Sequence, residues 1–190
     1  MSTPILLASG SPRRRELLEQ LGLQFAVIAP DVDESPRHGE TPIAYVGRVA
    51  LDKVNAVAAA DEALVIAADT TVELDGEIIA KPVDFADARA MLRRLSGRTH
   101  AVHTGIALRL GGRCVTATVT SRVMFVVLTD EIIDWYVATG EPLDKAGAYA
   151  IQGAGAVLVD NVEGSVSNII GLPLHTIVEL AAQLGVTLLA

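Results

Sequence analysis

Apolar positions along the chain keep two rhythms. Short unbroken runs fit buried strands, and stretches with apolar residues three and four apart fit one-sided helices. The run Ile5-Leu6-Leu7 predicts a strand over 4–8, followed by a helix over 12–21 that ends at Gly22. Residues 24–28 read as a second strand, and a polar loop runs from Pro30 to Pro42. Val46, Val49, Ala50, Val54 and Val57 mark a helix over 42–60. The continuous run 63–68 predicts a buried strand, with Asp69-Thr70-Thr71 at its end. Asp75-Gly76 is a turn between two short strands. A helix over 84–95, capped by Asp84, carries Ala88, Met91, Leu92 and Leu95 as its core stripe. Residues 100–110 and 113–127 form a long hairpin about Gly111-Gly112. Thr129 caps a helix to Val137, 155–160 is a strand, and 173–184 is the last helix. Strands and helices interleave, so the fold class is α/β, and the hairpin makes the sheet mixed rather than wholly parallel.

At 190 residues the chain fits one domain, or one domain with two lobes. A formal charge of −8 argues against a nucleic-acid polymer as partner, but not against a single nucleotide held by a few local cations. No apolar run approaches the ~20 residues that span a bilayer, and the N-terminus does not read as a signal peptide. The single cysteine, Cys114, excludes an internal disulfide framework, fits a reducing cytoplasm and reads as buried filler.

The segment Ser9-Gly10-Ser11-Pro12-Arg13-Arg14-Arg15 is the most informative. Ser11 suits an N-cap and Pro12 the first helical position. A helix start offers unpaired N–H groups and a positive dipole end, and arginines there add bidentate phosphate donors. The segment is either a capped helix with solvated arginines or a phosphate-binding loop. Asp69, at a strand end, either caps a turn or serves as a metal ligand or general base. Glu34 lies within Asp31-Val32-Asp33-Glu34, which is either a solvated acidic loop or, with Asp69, a Mg²⁺ site. Lys53 and Lys81 are surface lysines or phosphate neutralisers, and Pro82 fixes the path at Lys81. Residues 141–153 are dense in turn formers and small side chains, and Gln152 offers the donor and acceptor that a base edge requires. His38, His100, His103 and His175 have no metal spacing and read as structural or surface residues. There is no phosphate-binding P-loop sequence, so side chains and the Ser9–Ser11 loop must hold any phosphate.

Ser9-Gly10-Ser11-Pro12-Arg13-Arg14, Ala68-Asp69-Thr70, Lys81-Pro82, Leu95-Ser96-Gly97-Arg98-Thr99-His100, Thr104-Gly105, Glu141 to Tyr149, Ile151-Gln152-Gly153 and Gly171-Leu172-Pro173 together resemble the Maf family of nucleotide pyrophosphatases. The resemblance runs from about residue 5 to residue 180. It implies an elongated α/β fold of the inosine-triphosphate-pyrophosphatase type, with two lobes around a central cleft, and a homodimer. It implies hydrolysis of a nucleoside triphosphate to the monophosphate and pyrophosphate with Mg²⁺ or Mn²⁺. Arg13, Thr70 and Gln152 match the branch acting on dTTP and UTP. The branch acting on 7-methyl-GTP carries Trp near the first loop and Asp-Gln at the strand end, which are absent here. Val166 departs from the pattern, since family members often carry an aromatic there. The implied roles are these. Glu34 and Asp69 hold the metal, and Asp69 activates water. Lys53 and Lys81, with Arg13 and Arg14, neutralise the phosphates. Ser9 and Ser11 line the phosphate loop. Thr70 and Gln152, with Arg13, select the base. A non-catalytic nucleotide-binding regulator of cell division, or the same chemistry on another base, are the alternatives.

Overall fold

A computed structural model describes residues 3–189. Its strands are β1 (Ile5–Ala8), β2 (Ala26–Ile28), β3 (Leu64–Leu74), β4 (Glu77–Ile79), β5 (Thr99–Leu110), β6 (Arg113–Phe125) and β7 (Val159–Glu163). Its helices are α1 (Pro12–Gln20), α2 (Pro42–Ala56), α3 (Phe85–Leu95), α4 (Asp130–Ala138), α5 (Val166–Ile170) and α6 (Leu174–Gln183). The strands form one mixed seven-stranded sheet in the order β2-β1-β3-β5-β6-β7, with β4 beside β3. β1 runs parallel to both β2 and β3, placing Leu7 opposite Val27 on one side and Ile66 on the other. β4 and β7 pair antiparallel with β3 and β6. The α/β class and the mixed sheet expected from the sequence are both present.

Three details differ from expectation. β3 does not stop at Asp69 but continues five residues to Leu74, because Thr70, Thr71 and Val72 are β-branched and suit a pleated surface. Asp69 is therefore a mid-strand residue. Ser11 occupies the N-cap position of α1 but makes no side-chain cap bond; the nearby hydroxyl that accepts the Ser11 N–H is that of Ser9. Cys114 is exposed rather than buried, since β6 from Arg113 to Thr120 presents no fully buried residue. Smaller shifts are that α2 ends at Ala56, β7 begins at Val159 after a 3-10 turn over Gly153–Leu158, and α5 was not foreseen.

The chain divides into two compact units. The first comprises the chain up to Asp69, Thr104–Val119 and the chain from Gly171 onward. Its core joins Ala8 of β1, Val65 and Ala67 of β3, Ala107 of β5, and Ala50 and Val54 of α2. Small side chains let α2 lie close on the sheet. The closest approach is at Gly105, where a Cβ would stand 2.2 Å from the Val46 carbonyl oxygen. The second unit comprises Thr70–His103 and Thr120–Ile170. Leu92, Leu95, Phe125, Ile133, Tyr136 and Leu158 form its core. Asp75 and Gly76 both have positive φ, as the two central residues of a tight β3–β4 hairpin require.

Candidate active site

In the first unit, the turn between β1 and α1 folds Arg14 inward. Arg14 is buried, and its guanidinium donates to the Gly171 carbonyl at 2.8 Å and to the Ser9 hydroxyl at 3.0 Å. Burial lowers its pKa, while the charges of Asp69 and Glu34 oppose that effect. A guanidinium stays protonated under such a shift, so Arg14 is a fixed positive charge beside two carboxylates. Arg13 lies near enough for its own charge to act on Arg14. Arg15 is exposed on the outer side of α1.

Lys53 gathers the acidic residues. It projects from the last turns of α2 and is 6% exposed. Its Nζ donates to Asp69 Oδ1 at 2.8 Å and lies 2.9 Å from Glu34 Oε1. Asp69 is buried, whereas the Glu34 side chain is half exposed. Burying such charges is tolerated only where each is paired and hydrogen-bonded. Asp69 meets that requirement on one oxygen only. Its Oδ2 is buried with no hydrogen-bond partner among the described residues.

That unpartnered oxygen bears on the metal reading. No cluster of three or more His, Cys, Asp or Glu able to hold an ion exists among the described residues. A preformed all-protein cage is therefore not what this unit provides. Mg²⁺ needs no such cage: it binds through one or two carboxylates and completes its shell with substrate phosphates and water. Glu34 and Asp69 supply two hard oxygen donors of that kind, and Asp69 Oδ2 is a buried acceptor left over by Lys53. The residues fit the ion.

Sequence reading missed two residues of this site, Tyr45 and Arg48. Both lie on α2, and the Tyr45 hydroxyl donates to the Glu34 carbonyl at 2.9 Å. Burial, reinforced by the charges of Asp69 and Glu34, raises the Tyr45 phenol to about 12. Arg48 donates to Glu40, Asp52 and two carbonyls of the acidic loop. The one signal available was spacing: Tyr45, Arg48 and Asp52 recur at three- and four-residue intervals on one side of α2.

The remaining sequence-predicted residues divide by unit. Ser11 belongs with Ser9 and Arg14 in the first. Thr70, Lys81 and Gln152 belong to the second. Thr70 is half-buried in β3 directly after Asp69, Lys81 is exposed after β4, and Gln152 is exposed just before the Gly153–Leu158 turn. The Gln152 segment is held at both ends. Glu141 accepts hydrogen bonds from Tyr136 Oη at 2.8 Å, Gly155 N at 3.0 Å and Ala154 N at 3.1 Å, and Ala150 N donates to Tyr136 Oη at 3.1 Å. A Cβ at Gly153 would lie 2.6 Å from the Glu141 carboxylate, and its φ is +78°. Glycine is required there.

Residues 4–184 match the family of Maf-like proteins. A dTTP/UTP pyrophosphatase of Myxococcus xanthus is 54% identical over 187 residues, covering 98% of this chain and 95% of that protein. A dTTP/UTP pyrophosphatase of Symbiobacterium thermophilum is 49% identical over 182 residues, covering 95% and 94%. Among solved structures, a HAM1 protein from Coxiella burnetii is similar with a TM-score of 0.46 and 19% identity, over 66% of this chain and 73% of that one. No helix among the described residues is long and apolar enough to cross a membrane.

Proposed function

The chain belongs to the family of Maf-like proteins, and from that premise we propose that it hydrolyses dTTP and UTP to the monophosphate and pyrophosphate. The relatives that match nearly its whole length carry that activity in their names. The observation that carries the reading is the pairing of Lys53 with Glu34 and Asp69, which leaves Asp69 Oδ2 buried and unpartnered beside the Arg14 charge.

Asp69 orients the attacking water and takes its proton as the water oxygen bonds to the α-phosphorus and the α–β bridging oxygen leaves with pyrophosphate. Lys53 Nζ holds Asp69 Oδ1, so the carboxylate cannot rotate away from that task. Arg14, fixed by Ser9 and Gly171, offsets the negative charge that grows on departing pyrophosphate. A divalent cation, Mg²⁺ or Mn²⁺, held by Glu34 and Asp69, supplies charge neutralisation of the triphosphate when bound. Arg13, Lys81 and the Ser9–Ser11 loop contribute to phosphate binding in this reading, and Thr70 and Gln152 read the base. The family resemblance extends the proposal to a cytoplasmic homodimer.

The test is pyrophosphate release by the purified protein with Mg²⁺ and a panel of dTTP, UTP, dCTP, dATP and 7-methyl-GTP. Release from dTTP and UTP in preference to the others is the expected result. A folded protein that releases pyrophosphate from none of them refutes the enzymatic reading, and preference for 7-methyl-GTP moves it to a different base.

A further inference from the structure

Glu34 sits in a stretch that has no regular structure to hold it. Between β2 and α2 the chain forms neither helix nor strand, and residues 33–39 are exposed. Such a loop has no ladder bonds and no core to fix it, so on general grounds it moves freely. Yet the Glu34 carboxylate must meet Lys53 at a definite place.

The ties come from α2. Three consecutive loop carbonyls, those of Asp33, Glu34 and Ser35, are each taken by a side chain of that helix. Tyr45 Oη donates to Glu34 O at 2.9 Å, Arg48 Nη2 to Ser35 O at 3.0 Å and Arg48 Nη1 to Asp33 O at 3.5 Å. Arg48 is itself fixed. Its Nε and Nη2 make a two-pronged contact with the Glu40 carboxylate at 2.7 and 2.9 Å, and Nη1 reaches Asp52 at 3.3 Å. Its guanidinium lies over the Tyr45 ring, 5.7 Å from the centroid. The bond to Arg48 holds the Glu40 carboxyl at about 2, so this contact stays ionic across the working pH range. The helix that carries Lys53 thus also carries the groups that fix both peptide planes flanking Glu34.

We propose that Tyr45 and Arg48 are positioning residues that set the Glu34 carboxylate for the metal ion, acting through the carbonyls of residues 33–35. The proposal rests on the reading of Glu34 as a metal ligand. Groups that orient a ligand from behind change metal affinity about 10–100-fold when removed. An Arg48–Glu40–Asp52 ion-pair cluster with a purely structural role would move stability and leave metal affinity alone.

The experiment measures Mn²⁺ binding to the intact protein directly, from the electron paramagnetic resonance signal of free Mn²⁺. Alongside it runs the Mg²⁺ concentration for half-maximal pyrophosphate release from dTTP. Tyr45→Phe removes one hydroxyl, and Arg48→Lys keeps the charge but loses the fork. Each is made alone and in a Glu34→Gln background. Each single variant is expected to weaken Mn²⁺ binding about 10-fold and to raise the Mg²⁺ requirement in step. Neither variant should add to the effect of Glu34→Gln on Mn²⁺ binding. Shifts below about twofold in both variants, or equal shifts with and without Glu34, overturn the proposal. So does Glu34→Gln with unchanged Mn²⁺ binding, because nothing is then left to position. A wild-type protein that binds Mn²⁺ but cleaves no triphosphate refutes the proposed reaction alone, and the binding measurements still decide the role of Tyr45 and Arg48.

Discussion

Replacing Gly105 with alanine tests how α2 is seated on the sheet. The added Cβ would stand 2.2 Å from Val46 O, 2.4 Å from Val46 C and 2.7 Å from Gly47 N, all backbone atoms with no rotamer to change. Relief requires α2 to rise from β5 by roughly 1 Å, since overpacked sites respond by backbone shift. The opening unpacks Ala50, Val54 and Val57 from Val65, Ala67 and Ala107. Overpacking of this kind costs about 3 kcal/mol, or a fall in Tm of about 6–12 °C for a chain of this size. The same movement carries Tyr45, Arg48 and Lys53 with it. A displacement of about 1 Å at a catalytic constellation costs about 100-fold in turnover. Thermal unfolding followed by circular dichroism gives the first number, and pyrophosphate release from dTTP gives the second. An alanine variant that melts within about 2 °C of the parent with unchanged turnover would falsify the view that backbone contact sets the height of α2.

Three further outcomes follow from the geometry. Asp69→Asn keeps the fold and lowers turnover about 100-fold or more, measured by steady-state pyrophosphate release; near-parental turnover removes Asp69 from the base role. Lys53→Met leaves the buried Asp69 charge without its cation and lowers stability by about 3 kcal/mol in urea unfolding, and a neutral effect would show that the pair adds nothing to folding. Burial holds the His100 imidazole down at about 4, so below its ordinary value near 6.5 the unfolded chain takes up a proton that the folded chain refuses. Stability from this group is therefore complete above pH 6.5 and declines to pH 4 by about 3 kcal/mol, a slope that His100→Gln should flatten in unfolding measured across that window.

Much of this molecule was legible because burial writes a period into sequence. The apolar run 63–68 and the stripe Val46-Val49-Ala50-Val54 located β3 and α2, and Asp84 and Thr129 announced their helices by cap chemistry that the structure repeats. The end of β3 was misread because a carboxylate after an apolar run has the local signature of a turn. Only pairing with neighbouring strands could show that Thr70-Thr71-Val72 extends it. The partnership of Glu34 with Lys53 had no periodic signature at all, since one residue lies in an irregular loop. Tyr45 and Arg48 were hidden differently. They lie off the apolar stripe of α2, where a tyrosine and an arginine read as ordinary solvated residues until the loop carbonyls opposite them are known.

The ring that Glu141 and Tyr136 make around the 150–155 segment separates two duties. The anchors bear on main-chain amides at Ala150, Ala154 and Gly155, so they are indifferent to which side chain stands at the tip. Ile151 and Gln152 can therefore be exchanged by drift or by an engineer without loosening the frame that presents them. A substitution at either position leaves the anchors behind it in place.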